Sequence, residues 1–279
     1  MKNDTAPAPV RIYRHRLPVR LMHWINAVCL LVLLGSGLAI FNAHPSLYWG
    51  RQSQGVAPWL EMRMETTTGG PIGVTQLGQQ QFVTTGVLGL SNVAGEATAR
   101  AFPSWATIPG PQSLAKGRNW HLFFAWLLAI NGLCYLVWTV ASRHLARDLV
   151  PTGGELRGIG RSVLDHVRFR HPSGEAARRY NVLQSLAYLA VIFVLLPLVV
   201  VTGLGMSPTV NAALPGWVDV LGGRQSVRSL HFVCATLLVL FTLVHVAEVL
   251  LAGVWNEMRS MVTGWYVLPR ARREKELGA

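Results

Sequence analysis

Four stretches of about twenty mostly apolar residues limit the architecture of this chain more than anything else in it. They run roughly 21–41 (LMHWINAVCLLVLLGSGLAIF), 120–140 (WHLFFAWLLAINGLCYLVWTV), 182–204 (VLQSLAYLAVIFVLLPLVVVTGL) and 230–252. A helix of that length crosses a hydrocarbon core about 30 Å thick. Lipid offers no partner for backbone N–H and C=O groups, so each segment must pair its own and be helical. The predicted fold is an all-α membrane protein: a four-transmembrane-helix bundle, one domain over 1–279, with a long external loop over 42–119. The first apolar stretch is long enough to stay in the bilayer and no small-residue cleavage site follows it, so no cleavable signal peptide is expected. Pro197 should bend the third span by removing a hydrogen bond.

The charge pattern orients the bundle. The net charge of +12 would suggest nucleic acid in a soluble protein, but the chain is 51% hydrophobic and its basic residues lie between the spans. The surface they face is membrane lipid, and no nucleic-acid partner is expected. Lys and Arg number 18 in the N-terminal tail, the 141–180 loop and the C-terminal tail, against 7 in the other two loops. Both termini should therefore be cytoplasmic, in a multi-pass protein of a bacterial inner membrane, with loop 42–119 periplasmic.

That loop is long for a compact bundle and rich in Gly, Thr, Gln and Pro. Its apolar patch FVTTGVLGL is too short and too broken by glycine to cross. Tyr48, Trp49, Trp59, Phe82, Phe102 and Trp105 argue against a disordered linker. A folded cap over the bundle and a docking surface both remain open. Cys29, Cys134 and Cys234 form no C-x-x-C pair, which excludes a disulfide framework, a zinc site and covalent c-type haem attachment.

Chemistry enters with histidine. His231 and His245 lie fourteen residues apart in the fourth span. That is close to four helical turns, so both imidazoles share one face, about 21 Å apart along the axis. Ionisable groups at such depth point to function. His23 opens the first span on the cytoplasmic side and His121 opens the second on the external side. Depths then match in pairs, His23 with His245 and His121 with His231. Imidazole nitrogen is an axial ligand of haem iron, so two bis-histidine sites, hence two b haems, explain the set. Arginine precedes three of these histidines by three residues: Arg20, Arg118 and Arg228. Each falls on the aqueous side of its histidine and could anchor a haem propionate. Snorkelling at helix ends is the plainer alternative. Gly35, Gly37 and Gly132 fit either close helix packing or the flat edge of a ligand. Glu248 could bond a ligand, pass protons, or snorkel. His15, His44, His144, His166 and His171 read as surface residues.

These segments resemble the dihaem cytochrome b subunits of bacterial formate dehydrogenases, nickel–iron hydrogenases and thiosulfate reductases, grouped with prokaryotic cytochrome b561. The resemblance runs from HRLPVRLMHWIN to SMVTGWY and includes GRNWHLFFAW and GGRQSVRSLHF. HPSLYWG and FPSWATIPG are most similar to the thiosulfate-reductase-type branch. The resemblance implies a periplasmic oxidoreductase partner, usually molybdopterin-containing, and exchange of electrons with the quinone pool of a respiratory chain. In the formate dehydrogenase branch an asparagine before the third span binds quinone. Here Tyr180, Asn181 and Gln184 match that branch's Tyr-Asn-x-x-Gln pattern, with Leu183 where the branch has glycine. From the residues alone, Asn181 reads equally as a helix N-cap.

The expected function is transmembrane electron transfer between that partner and quinone. A stand-alone quinone-linked oxidoreductase for a small reductant such as superoxide is the alternative. A histidine-based metal transporter is disfavoured, because no Asp or Glu lies near mid-span.

Overall fold

The computed structural model describes residues 10–93, 95–167 and 181–268. Tyr180 and His171 lie outside them. In chain order the helices are α1 (Leu17–Phe41), α2 (Leu114–Ala141), α3 (Gly153–Arg157), α4 (Ile159–Val167), α5 (Val182–Ala190), α6 (Leu196–Gly205), α7 (Pro208–Ala213) and α8 (Arg224–Thr263). Four helical runs are long and apolar enough to cross a membrane: α1, α2, Val182–Gly205 and α8. They contain the four spans expected from the sequence. Their outward side chains, such as Leu31, Phe123, Val140 and Leu243, are exposed on the protein surface. Lipid covers such side chains at little cost, because its tails are as apolar as leucine.

Two of these helices are interrupted, each for a local reason. A π-turn at Val191–Leu195 separates α5 from α6, with Pro197 at the start of α6. Proline has no N–H to give to the carbonyl four residues back, and the wider turn absorbs the mismatch. In α8, Gly253 takes φ 106° and ψ 86°. Only glycine adopts that backbone without a steric cost, and the break falls where the apolar run ends.

Residues 42–113 depart from the all-α expectation. They carry β2 (Ser46–Leu47), β3 (Leu60–Thr67), β4 (Gly70–Leu77) and β5 (Gln80–Val83), paired in that order as an antiparallel sheet. A separate hairpin joins β6 (Leu90–Val93) and β7 (Glu96–Ala99). The reason is legible in β3. Leu60, Met62 and Met64 alternate with Glu61, Arg63 and Glu65, a period of two that gives one apolar and one charged face. Leu60 and Met62 are buried, while Arg63 bridges Glu61 at 2.8 Å and Glu65 at 2.6 Å. Two-residue turns close β3–β4 and β4–β5.

The chain divides into two compact units. One comprises Ile25–Asn131 and Leu195–Leu238. Its core joins Phe41, Leu47, Leu60, Met62 and Ala101, with Trp59, Phe102 and Phe232 packed against them. Polar bonds lock the sheet to the start of α8. Trp59 Nε1 donates to Ser229 Oγ at 2.9 Å, and Ser229 Oγ donates to the Tyr48 carbonyl at 2.6 Å. Asn131 donates to Asn26 at 2.7 Å, joining α2 to α1.

The other unit holds the chain up to Trp24, Gly132–Val194 and the chain from Val239 on. Here β1 (Arg11–Tyr13) pairs antiparallel with β8 (Trp265–Val267). The Asn256 side chain bonds both the N–H and the carbonyl of Val267, at 3.0 and 2.8 Å. Arg14 stacks over Tyr266 and bridges Glu257 at 3.7 Å.

His15 is not the surface residue the sequence suggested: it is only 7% exposed. Burial, with Arg14 adding repulsion, lowers its pKa from 6.5 to about 4. The unfolded chain therefore binds a proton at His15 at higher pH than the folded one does. Stability should fall as pH drops from 6.5 towards about 4 and level off below, by on the order of 3 kcal/mol in total. Thermal unfolding in detergent across that range should show a smaller acid loss for His15→Gln than for the wild type.

Candidate functional site

The structure brings the four intramembrane histidines together in the two expected pairs. His121 on α2 faces His231 on α8 with ring centres 6.2 Å apart and ring planes at 63°. His23 on α1 faces His245 on α8 with ring centres 6.2 Å apart and planes at 60°. Each pair lies within one compact unit. An imidazole nitrogen binds a metal at about 2 Å and its ring centre lies about 1 Å further, so two trans imidazoles on one metal place their centres about 6 Å apart.

The His121–His231 pair has a doubled support that the sequence reading missed. Ser36 Oγ lies 3.0 Å from His121 Nδ1, and Thr202 Oγ1 lies 3.1 Å from His231 Nδ1. Each hydroxyl also donates to the carbonyl four residues back, Ser36 to Val32 and Thr202 to Leu198, both at 2.7 Å. A hydroxyl has one proton, and that carbonyl takes it. Nδ1 must then supply the proton of its own contact, which leaves the Nε2 lone pair free as a metal ligand. Glycine follows each hydroxyl residue. A Cβ at Gly37 would sit 3.4 Å from His121 Cε1, and one at Gly203 would sit 3.4 Å from His231 Cε1.

The two halves of this site are alike in detail. A hydroxyl–glycine dipeptide on one helix backs a histidine on the next spanning helix, and Arg-x-x-His carries that histidine both times. The two halves share these few positions and no longer stretch of sequence. Beside the dipeptide, the Ile108 N–H donates to the Gly35 carbonyl at 3.0 Å. A Cβ at Gly35 would come within 2.7 Å of the Ile108 side chain, so the loop before α2 packs directly on α1.

The His23–His245 pair is built otherwise. Phe241, one turn before His245, stacks on it at 5.9 Å and 11°. Tyr188 meets both rings edge-on, 6.2 Å from Phe241 and 6.4 Å from His245. His23 Nδ1 is buried with no hydrogen-bond partner among the described residues. Glu248 is half-buried one turn after His245.

Tyr188 also went unnoticed in the sequence. It follows Gln184 by four residues and Asn181 by seven, so the three line one face of α5. Asn181 is the N-cap of α5: its Oδ1 accepts from the Leu183 N–H at 3.0 Å, and its own N–H donates to Gln184 Oε1 at 3.3 Å. The capping reading of Asn181 thus describes its place in the fold.

The three arginines differ. Arg228 donates to the Ser46 carbonyl at 2.9 Å and to the His44 carbonyl, and lies 5.7 Å over the Phe41 ring. It holds the start of the β-rich segment to α8. Arg20 donates to the Val262 carbonyl, while its Nε is buried without a partner among the described residues. Arg118 is exposed.

Among the described residues no group of three or more His, Cys, Asp or Glu side chains is arranged to hold a metal ion. A metal between two imidazoles alone must take its remaining ligands from elsewhere. A planar macrocycle supplies four, and the separation, the fixed Nδ1–H tautomers and the glycine-lined faces fit that group.

The sequence profile of prokaryotic cytochrome b561 matches residues 14–264. A putative protein-methionine-sulfoxide reductase subunit, YedZ1, of Azospira oryzae is 33% identical over 138 residues, which is 50% of this chain and 67% of that protein. No solved structure gives a significant match.

The glycine faces yield a direct check. Gly37→Ala and Gly203→Ala place a methyl at ordinary contact distance and should be tolerated. Gly37→Val and Gly203→Val should push the imidazole aside. In the purified protein, haem retained per chain is expected to fall in the valine variants and to stay near wild type in the alanine variants.

Proposed function

The chain belongs to the prokaryotic cytochrome b561 family, b-haem-binding membrane proteins of electron transport, and we propose that it carries electrons between a periplasmic redox partner and the quinone pool. In this reading His121 and His231 ligate one b haem near the periplasmic surface. His23 and His245 ligate a second near the cytoplasmic surface. The carrying observation is the pair of imidazole separations, both 6.2 Å, each formed by residues from two different spanning helices.

When bound, haem b supplies a one-electron carrier at each pair; the protein supplies ligands, tautomer and surroundings. Ser36 and Thr202 hold the outer imidazoles with Nε2 presented. Phe241 stacks on the inner ligand and limits its rotation. Arg20, Arg118 and Arg228 are the candidate partners for haem propionates. Arg20 and Arg228 each also hold a backbone carbonyl, so for them the two roles would be shared.

Quinone is proposed to bind along the Asn181–Gln184–Tyr188 face of α5, with Tyr180 preceding it. Support comes from the contact of Tyr188 with His245, which ends that face at the inner ligand. Amide and phenol groups can bond the quinone oxygens and bring protons to them. The excess of Lys and Arg in the two tails and the 141–180 loop supports a cytoplasmic side for both termini and this face.

A soluble partner is favoured over a stand-alone role by the folded β-sheet of the 42–113 segment, with Trp105 83% exposed beside it. The relative's name denotes a subunit of a sulfoxide reductase. Together with the resemblance to subunits serving molybdopterin enzymes, it points to an oxidoreductase of that kind as partner.

Redox-titrated visible spectra test the ligand pairs. His121→Ala and His245→Ala should each remove a different one of two b-type components. Loss of neither, or of both from a folded protein, contradicts the assignment. For the quinone face, Asn181→Ser keeps a capping oxygen and removes the amide. It should slow quinol-driven haem reduction about tenfold, the equivalent of one hydrogen bond worth about 1.4 kcal/mol, with spectra unchanged.

A further inference from the structure

We propose that Ser36 and Thr202 are positioning residues that lower the reduction potential of the His121–His231 haem and leave the His23–His245 haem untouched. This rests on the reading that haem is ligated by these pairs.

The argument starts from the proton count. Around His121 lie the Ser36 hydroxyl, at 3.0 Å from Nδ1, and the carbonyls of Val32 and Leu33, at 2.7 and 3.3 Å from that hydroxyl. Around His231 lie Thr202, at 3.1 Å from Nδ1, and the carbonyls of Leu198 and Val199, at 2.7 and 3.2 Å from the hydroxyl. Both environments contain acceptors and one hydroxyl proton, and that proton points at a carbonyl. Both imidazoles are therefore held as Nδ1–H donors. Donation from Nδ1 makes Nε2 more basic. A more basic axial ligand favours ferric over ferrous iron and lowers the potential.

Ser36 and Thr202 are completely buried, so no water competes for these bonds. Gly37 and Gly203 leave each ring its place beside the helix: an added Cβ would lie 3.4 Å from Cε1 at either position. Because each hydroxyl is tied to the carbonyl of its own helix, it is fixed before the ligand is in place. The inner pair has no such device at His23, whose Nδ1 has no partner among the described residues. Selectivity for one of two haems follows from that difference.

The experiment uses the full purified chain with its haems. Ser36→Ala, Thr202→Val and the double variant are compared with the conservative Ser36→Thr and Thr202→Ser by redox titration and low-temperature EPR. The component that His121→Ala removes identifies the outer haem. Its midpoint should move to more positive potential in each hydroxyl-deleted variant and further in the double, with altered low-spin g-values. The other midpoint should stay fixed, and the conservative variants should titrate like wild type. Selective loss of the outer component from the double variant, with the inner one intact and Thr202→Ser normal, also supports the proposal. Unchanged midpoints and g-values, equal movement of both components, or Thr202→Ser behaving as Thr202→Val would overturn it. A wild-type protein with no low-spin b component fails at the ligand reading instead.

Discussion

An imidazole inside a lipid-spanning helix has two nitrogens and no water, and the rest of this structure follows from how both are satisfied. Leaving either unpaired costs roughly 1–3 kcal/mol, so a histidine in such a place needs two partners or a reason to do without. For His121 and His231 one partner is a hydroxyl on a neighbouring helix. The two rings face each other with their centres 6.2 Å apart, a separation suited to a metal between them. Among the described residues no third His, Cys, Asp or Glu side chain joins either pair, and a planar macrocycle would supply the remaining four ligands.

The β-rich segment then becomes intelligible as part of the same unit. Its sheet buries one apolar face on Phe41 and Phe232, at the end of α1 and near the start of α8. Arg228, one turn before His231, takes carbonyls from the segment's first residues, and Ser229 joins Trp59 to Tyr48. Ile108 closes on Gly35, next to Ser36. The residues flanking the histidine pair are therefore the residues that seat the sheet. The segment is thus continuous with the histidine pair through direct side-chain and backbone contacts.

The spans and the histidine pairs were legible because both are periodic signals: twenty apolar residues for a bilayer, and a common depth for imidazoles on different helices. Pro197 likewise announced the interruption of the third span, whereas the break of α8 at Gly253 was not anticipated. The sheet was missed although Leu60, Met62 and Met64 alternate cleanly with charged residues. Glycine and threonine dominate the surrounding sequence and dilute that short pattern. Ser36 and Thr202 were invisible for a different reason. A small hydroxyl in an apolar helix normally bonds its own backbone and reads as packing; its second bond depends on what the next helix brings near. His15 was misread because its backbone is held against Gly264, more than two hundred residues away in the chain.

The two histidine pairs differ in a way that matches what each would have to do in the proposed function. A site that passes only electrons gains from surroundings that do not titrate or move. The His121–His231 pair has buried hydroxyls, glycines and backbone around it, and its unit adds a fixed sheet. A site beside a quinone must also handle protons, and proton traffic needs groups that change charge. Beside the His23–His245 pair stands a phenol at Tyr188, with a carboxylate at Glu248 one turn along α8 and the amides of Asn181 and Gln184 further along the Tyr188 face of α5. Hydroxyls that already have partners stabilise one tautomer and resist exchange. At His23 the Nδ1 has no such partner among the described residues. The doubled Ser/Thr–Gly device backs the outer pair, and in the proposed function it would set plain electron transfer there apart from proton-coupled chemistry at the inner one.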